Sequence, residues 1–290
     1  MATSGQSLSI DGHDPAPRRD LPQDRVDRPL AAFVRDYAEG EDVPRHSHDR
    51  AQLLYAITGI MRVTTDAARF TVPPARALWL PAGLPHAVAM PGGLAMRALF
   101  LRSDAAKRAG PERPAVLSVS PLLRELILAA CAEPLEWDEQ GRGGHLAALI
   151  LEEIAHAPTL PLAVPQPRDP RLLRLVAALA ANPASPLTLE DWASGTGASP
   201  RTLRRLFQAE TGMGFARWRQ ALRLAEAAAL LANGSPPARA AAAVGYSSGP
   251  AFGAAFRAVF GITPGRAGEG RRPSPDLSPP KAERPLETGT

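Results

Sequence analysis

Five prolines fall within the thirteen residues from Pro158 to Pro170. No helix interior tolerates that density, because each proline lacks an amide proton and clashes with the preceding turn. The chain is therefore split, and its two parts keep different apolar periods. Before the break, short apolar runs at 51–57, 61–63, 77–80 and 94–101 are punctuated by Gly59, Pro73-Pro74, Pro81-Ala82-Gly83 and Pro91-Gly92-Gly93. That spacing predicts a small antiparallel barrel or jelly roll. From Pro121 the period becomes helical, with Leu122, Leu123, Leu126, Ile127 and Ala130 on one face. A second helix is expected from about 144 to 156, carrying Leu146, Leu149, Ile150 and Ile154. After the prolines the chain reads as helices to about residue 265. The expected class is α+β multidomain: a barrel, a helical coupling region and an all-α C-terminal domain.

The domain reading follows: an unstructured arm over 1–28, a barrel over 29–110, a helical coupling and dimerisation region over 111–157, a linker over 158–169, a helical domain over 170–266 and an unstructured tail over 267–290. The arm is rich in Pro, Asp and Arg and shows no apolar period, and the tail is rich in Pro and Gly. No run of about 18 uncharged apolar residues is present, and the first residues lack the basic-then-apolar order of a secretory signal. The single cysteine, Cys131, fits a reducing compartment and reads as a buried small side chain. We expect a cytoplasmic protein with no membrane partner.

Charge is unevenly placed. Residues 169–266 hold eleven arginines and no lysine against five acids, whereas 29–160 hold thirteen basic residues against fifteen acidic ones. Arginine suits bidentate contacts with phosphate and guanine, so the C-terminal domain is expected to meet a polyanion; a solvated basic surface is the plainer alternative.

The segment LTLEDWASGTGASPRTLRRLFQAETG at 187–212 gives that charge a shape. Thr188 and Asp191 form a capping-box pattern, Gly195-Thr196-Gly197 supplies a turn, and Ser199 and Pro200 start a second helix as N-cap and first residue. Leu203, Leu206 and Phe207 take its buried face, leaving Arg201, Arg204, Arg205 and Gln208 outward, as a helix entering the major groove requires. A weaker copy follows 49 residues later, with Ser248, Phe252, Phe256 and Gly261 in place of Ser199, Leu203, Phe207 and Gly212. Between them a long helix over 215–231 carries Trp218, Leu222 and Leu230 on one side and Arg217, Arg219 and Arg223 on others. Ser235 with Pro236 is expected to cap the next short helix. Two such units on a rigid spacer could enter neighbouring grooves of one duplex.

With SPRTLRRLF, RWRQALRLAEAAALL, AVGYSS and FGITPGR in these spacings, residues 170–265 resemble the DNA-binding domain of the AraC/XylS family of transcription regulators. The resemblance implies base reading by Arg201, Arg204 and Arg205, with Ser199, Thr202 and Gln208 in the same interface. In the second unit the matching positions Ser248, Gly249, Pro250 and Ala251, with Gly253 and Ala254, offer few base-reading side chains. That unit is expected to position the protein through phosphate contacts and shape.

In the barrel, His46, His48 and Gln52 share parity, so one strand face could aim all three inward, joined by His86 from another strand. Gly40, His46-Ser47-His48, Gln52 and Gly59, with Pro81-Ala82-Gly83-Leu84-Pro85-His86, resemble the two cupin motifs. The sequence departs from them at Gln52, where the family has a carboxylate ligand, and at Ala75 and Met90, which replace a glycine and an asparagine. Three readings of His46, His48, Gln52 and His86 stay open: ligands of a divalent transition metal, hydrogen-bonding contacts to a small-molecule effector, or structural histidines. Tyr55 joins the same candidate pocket if the strand stays regular, and Trp79 reads as core or pocket wall. His145 and His156 read as surface or helix-end residues.

The whole resembles cupin-bearing AraC-family regulators, which implies double-stranded DNA and an effector as partners, a homodimer, and RNA polymerase as a further contact. The competing reading is a metal-dependent cupin oxygenase or isomerase fused to a DNA-binding domain; a purely architectural DNA-binding protein would leave the barrel without a role.

Overall fold

The computed structural model describes residues 17–160 and 162–268. Among these residues eleven strands form two antiparallel sheets that pack face to face. One has the order β1 (Leu30–Tyr37), β8 (Leu94–Leu101), β3 (Ala51–Thr58), β6 (Arg76–Leu80), β9 (Ala115–Ser118), β10 (Thr159–Leu160). The other runs β11 (Ala163–Pro165), β5 (Ala68–Val72), β4 (Met61–Thr64), β7 (His86–Ala89), β2 (Asp42–His46). Leu54, Leu78, Met96 and Phe100 from the first meet Val63, Phe70, Val72 and Val88 from the second in one buried cluster. The chain passes from β3 to β4 at Gly59, which has φ +84° and where a Cβ would stand 2.2 Å from the Gly93 carbonyl oxygen. Glycine is required there on both counts.

The first sheet is buried on its outer face as well. Helices α3 (Pro121–Cys131) and α4 (Arg142–His156) cover it, with Leu123, Ile127, Ile150 and Ile154 packed on Leu53, Tyr55, Trp79, Leu99 and Leu101. The Ser120 hydroxyl caps α3, accepting from the Leu123 amide at 2.9 Å and donating to Glu153 at 2.6 Å. Between β8 and β9 lies α2 (Ser103–Ala109).

Three expectations about organisation change. Residues 1–16 of the expected arm lie outside the described residues, but from Pro17 the chain is built into the barrel: α1 (Pro22–Arg25) follows a bridge between Arg18 and Ser47, and the buried Arg50 guanidinium donates to the carbonyls of Asp24, Val26 and Arg28. The barrel does not end at 110, since β9, β10 and β11 belong to its sheets. The expected linker at 158–169 is sewn into both sheets, Thr159 opposite Leu117 and Ala163 opposite Phe70. Prolines forbid a helix there but are tolerated on sheet edges, where amide donors are dispensable.

The C-terminal part comprises α5 (Pro170–Ala181), α6 (Leu189–Ser194), α7 (Pro200–Thr211), α8 (Phe215–Ala232), α9 (Pro237–Ala243), α10 (Gly249–Phe260) and α11 (Pro264–Gly268). Helices α5 to α7 and the first half of α8 share a core of Leu172, Leu175, Leu203, Phe207 and Trp218. The second half of α8 with α9 and α10 shares a buried cluster with the barrel, through Leu224, Ala228, Leu231, Phe252 and Phe256. Ala267 is buried in that cluster, and the rest of the expected tail from residue 269 lies outside the described residues.

Candidate nucleic-acid interface and barrel pocket

Helix α6 starts with the capping box expected of it: the Thr188 hydroxyl accepts from the Asp191 amide while the Asp191 carboxylate accepts from the Thr188 amide. Gly197, with φ +68°, turns the chain, and Ser199 caps α7 by accepting from the Thr202 amide at 3.2 Å. Leu203 and Phe207 face inward, the Phe207 ring meeting Trp218 edge to face at 5.4 Å. Opposite them Arg201, Arg204, Arg205 and Gln208 are exposed, as the period requires, and Thr202 is half-buried against Ser199. Arg204 is ion-paired with Glu190 of α6, whereas Arg201 and Arg205 form no ion pair among the described residues. Arg219 and Arg223 are turned to the protein, donating to the Leu187 carbonyl at 3.0 Å and the Pro183 carbonyl at 2.7 Å; Arg217 stays exposed.

In the second unit Ser248 caps α10 through the Ala251 amide, and Gly249, Pro250 and Ala251 are exposed at its first turn. A Cβ added at Gly249 or Gly253 would meet nothing within 4 Å, so this face is smooth and polar side chains are lacking rather than hidden. Its buried side is a ladder of Phe252, Phe256 and Phe260, with ring centroids 5.6 and 4.5 Å apart. The alanines of α9 are small enough to let that ladder in. Ser235 is not the N-cap of α9; Pro236 stands there, without a side-chain cap.

The barrel histidines converge from different elements, not from one strand face. His46 ends β2, His48 lies in the loop after it, Gln52 is on β3 in the other sheet, and His86 opens β7. A register shift between Val43 and His46 brings His46 directly opposite His86; such a bulge re-aims a side chain. The ring centroids are 4.4 Å apart for His46 and His86, 4.9 Å for His46 and His48, and 6.1 Å for His48 and His86. With Gln52, Phe100, Met96 and Arg19 they line a pocket of about 30 Å³.

Each imidazole has its Nδ1 against an oxygen: Pro44 carbonyl at 2.7 Å for His46, Asp24 carboxylate at 2.9 Å for His48, Leu84 carbonyl at 2.9 Å for His86. Carbonyl and carboxylate oxygens only accept, so each Nδ1 carries a proton, and a ring that is neutral keeps its Nε2 lone pair free. Burial pushes His86 down to about 4 and also lowers His46, so both rings are neutral near pH 7. Gln52 Oε1 is buried without a hydrogen-bond partner. The pocket thus presents acceptors. Asp24, which orients His48, and Arg19, which lines the pocket, are not singled out by the sequence, because they belong to an arm whose composition hides its long-range contacts.

Tyr55 and Trp79 do not enter this pocket. Strand β3 is regular from Gln52, opposite Leu80, to Tyr55, opposite Ala77, and a period of two sends residues 52 and 55 to opposite faces. Tyr55 packs under α3 and α4, as does Trp79, whose indole donates to the Pro111 carbonyl at 2.8 Å.

A helix-turn-helix domain model matches residues 192–269 and a cupin domain model residues 33–102. The chain is 30% identical over 260 residues, 89% of its length and 92% of the other's, to the HTH-type transcriptional regulator NimR of Escherichia coli. It is 41% identical over 107 residues, 37% of this chain and 31% of the other, to the HTH-type transcriptional regulator RipA of Corynebacterium glutamicum. Among solved structures it resembles an AraC-type DNA-binding-domain regulator from Chromobacterium violaceum, at 34% identity over 36% of this chain and 96% of that one, with a TM-score of 0.34. A cupin barrel, two helix-turn-helix units and near full-length similarity to a regulator place the chain in the AraC-type family of helix-turn-helix transcriptional regulators.

Proposed function

We propose that this regulator reads DNA chiefly through α7 and takes its signal from a small molecule at the histidine end of the barrel. The observation that carries the first half is the exposed pair Arg201 and Arg205 on a capped helix, free of carboxylate partners among the described residues. Arg204, Gln208, Ser199 and Thr202 complete that interface, and Ser248, Gly249, Pro250 and Ala251 approach phosphates with the amide end of α10. The barrel half rests on His46, His48, His86 and Gln52, whose acceptors suit a ligand group that donates hydrogen bonds. Exposed Leu122 and Leu149 on α3 and α4 support a homodimer. Such a regulator works in the cytoplasm, where it meets DNA and RNA polymerase.

A divalent transition metal on the same four side chains is favoured by their tied Nδ1 atoms, which orient ligating histidines elsewhere. Two observations oppose it: Gln52 brings no charge, and among the described residues no group of three or more His, Cys, Asp or Glu is arranged to hold a metal ion. We therefore favour effector contacts over metal ligation for these four side chains, and regulation over oxygenase or isomerase chemistry. Metal analysis of the purified protein would reverse this if it found close to one equivalent.

The test of the DNA half is selection of bound sites from genomic fragments, followed by titration of the selected duplex. Arg205→Ala should weaken specific binding by about 1–3 kcal/mol. Equal footprints from variant and parent, or no binding at low salt, would overturn the assignment.

A further inference from the structure

The histidine pocket holds about 30 Å³, room for little more than water. Pockets that hold small organic ligands run to about 300 Å³ and above. An open cleft of about 320 Å³ adjoins it and shares Arg19, Val43 and His46 with it. Whatever touches the histidines must therefore keep most of its bulk in that cleft.

The cleft opens where β1 and β2, edge strands of the two sheets, lie beside the segment 17–19. That segment is fixed by backbone bonds, Arg19 amide to Ser47 carbonyl at 2.9 Å and Ser47 amide to Pro17 carbonyl at 3.1 Å. Four arginines, Arg18, Arg19, Arg35 and Arg45, line the cleft against one carboxylate, Asp42. Arg18 is held by Asp49 at 3.2 Å and Arg45 by Asp66 at 3.0 Å, in exposed pairs that solvent weakens. Arg19 and Arg35 have no carboxylate partner among the described residues. Arg35 lies over the Tyr37 ring at 4.6 Å, and Arg19 is half-buried between cleft and pocket. Glu41 accepts from the Ala38 amide at 3.0 Å and forms no ion pair with either arginine among the described residues.

Unneutralised arginines on concave walls focus positive potential, and their planar forks match oxyanions bidentately. We propose that this cleft is an oxyanion subsite: it takes a small molecule bearing a carboxylate or phosphate, gripped by Arg19 and Arg35, with an uncharged donor group reaching His46. The identification of this molecule with the signal rests on the effector reading above; the subsite itself does not.

Calorimetry on the full-length protein at low ionic strength, with inorganic phosphate and succinate as probes up to about 10 mM, tests it. One saturable site is expected for at least one anion, and the tighter of the two tells phosphate from carboxylate. Arg19→Ala and Arg35→Ala should each weaken it about tenfold and the double variant abolish it, with Arg19→Lys/Arg35→Lys in between. Exposed Arg113→Ala should change nothing, and circular dichroism checks that each variant is folded. No saturable heat with either anion, or binding that survives the double alanine variant, would overturn the proposal. So would loss of DNA affinity in that variant without anion binding, which would give the arginines to the duplex. Anion binding that leaves DNA affinity untouched would uphold the subsite and sink the effector reading instead.

Discussion

Ala75 holds a backbone conformation with φ +62°, alone in this among the described non-glycine residues. It stands where the cupin motif has a glycine, and the fold has kept the glycine's geometry without the glycine. A Cβ in the left-handed region costs about 1–2 kcal/mol, while glycine's added freedom in the unfolded chain costs about 0.4–1 kcal/mol. The side chain is exposed, so no packing is lost. Ala75→Gly should therefore stabilise the protein by about 0.5–1 kcal/mol, read as a higher denaturant midpoint at unchanged slope; a lower midpoint would show that the turn is unstrained. His86 offers a pH-dependent counterpart. Burial holds its folded pKa at about 4, below the ordinary histidine value of 6.5. The unfolded chain thus binds the proton more readily, and the stabilising effect of keeping the ring neutral is complete above pH 6.5 and lost as pH falls toward 4. Measured with chelator present, the stability gap between parent and His86→Gln should narrow by about 3 kcal/mol from pH 7 to pH 4. Parallel pH profiles would refute it.

At the scale of elements, α7 is the best-written part of the sequence because everything that makes it is local: a cap, a proline, a helical period and a glycine stop. Its one hidden feature is tertiary. Glu190 of α6 reaches Arg204, a pair with both side chains at least half exposed, and exposed pairs contribute little to stability. If α7 meets the duplex as proposed, Glu190 competes with DNA for that guanidinium. Glu190→Gln should leave the melting temperature within about 2 °C and tighten DNA binding a few-fold at low salt; weaker binding would mean that the pair pre-aims Arg204. Strands were less legible than helices for a physical reason. Cover by α3 and α4 makes both faces of β3 apolar, which erases the alternation that would have sent Tyr55 and Gln52 apart. Strand β2, DVPRH, is polar with a central proline, and β10 and β11 span two and three residues. The histidines and Gln52 were recognisable by motif spacing, but their placement on separate sheets, and the Asp24 that orients His48, depend on contacts between distant segments.

For the whole molecule, the question is how a barrel could speak to a recognition helix. The structure supplies physical links at α8 and α10. Arg62 of β4 is ion-paired with Glu226 of α8, Arg76 of β6 donates to the Phe260 carbonyl at 3.1 Å, and the Trp218 indole donates to the Pro165 carbonyl at 2.7 Å. Because the second half of α8 belongs to the barrel's cluster and the first half to the core of α7, one rigid helix spans both. A ligand shifts such an arrangement only as far as it binds one docked state better than another. The Arg62–Glu226 pair is about two-thirds buried or more on each side, so it is worth more than a surface pair, and losing Arg62 leaves Glu226 facing an apolar seam. Arg62→Ala should speed hydrogen exchange in the second half of α8 and in α10 by about tenfold, corresponding to about 1.4 kcal/mol of local stability, while β3 and β8 keep their protection. It should also alter DNA affinity although Arg62 lies on the barrel. Uniformly faster exchange in every element would reduce the pair to a general stabiliser. Unchanged exchange and unchanged DNA affinity would show that the docked arrangement does not govern α7.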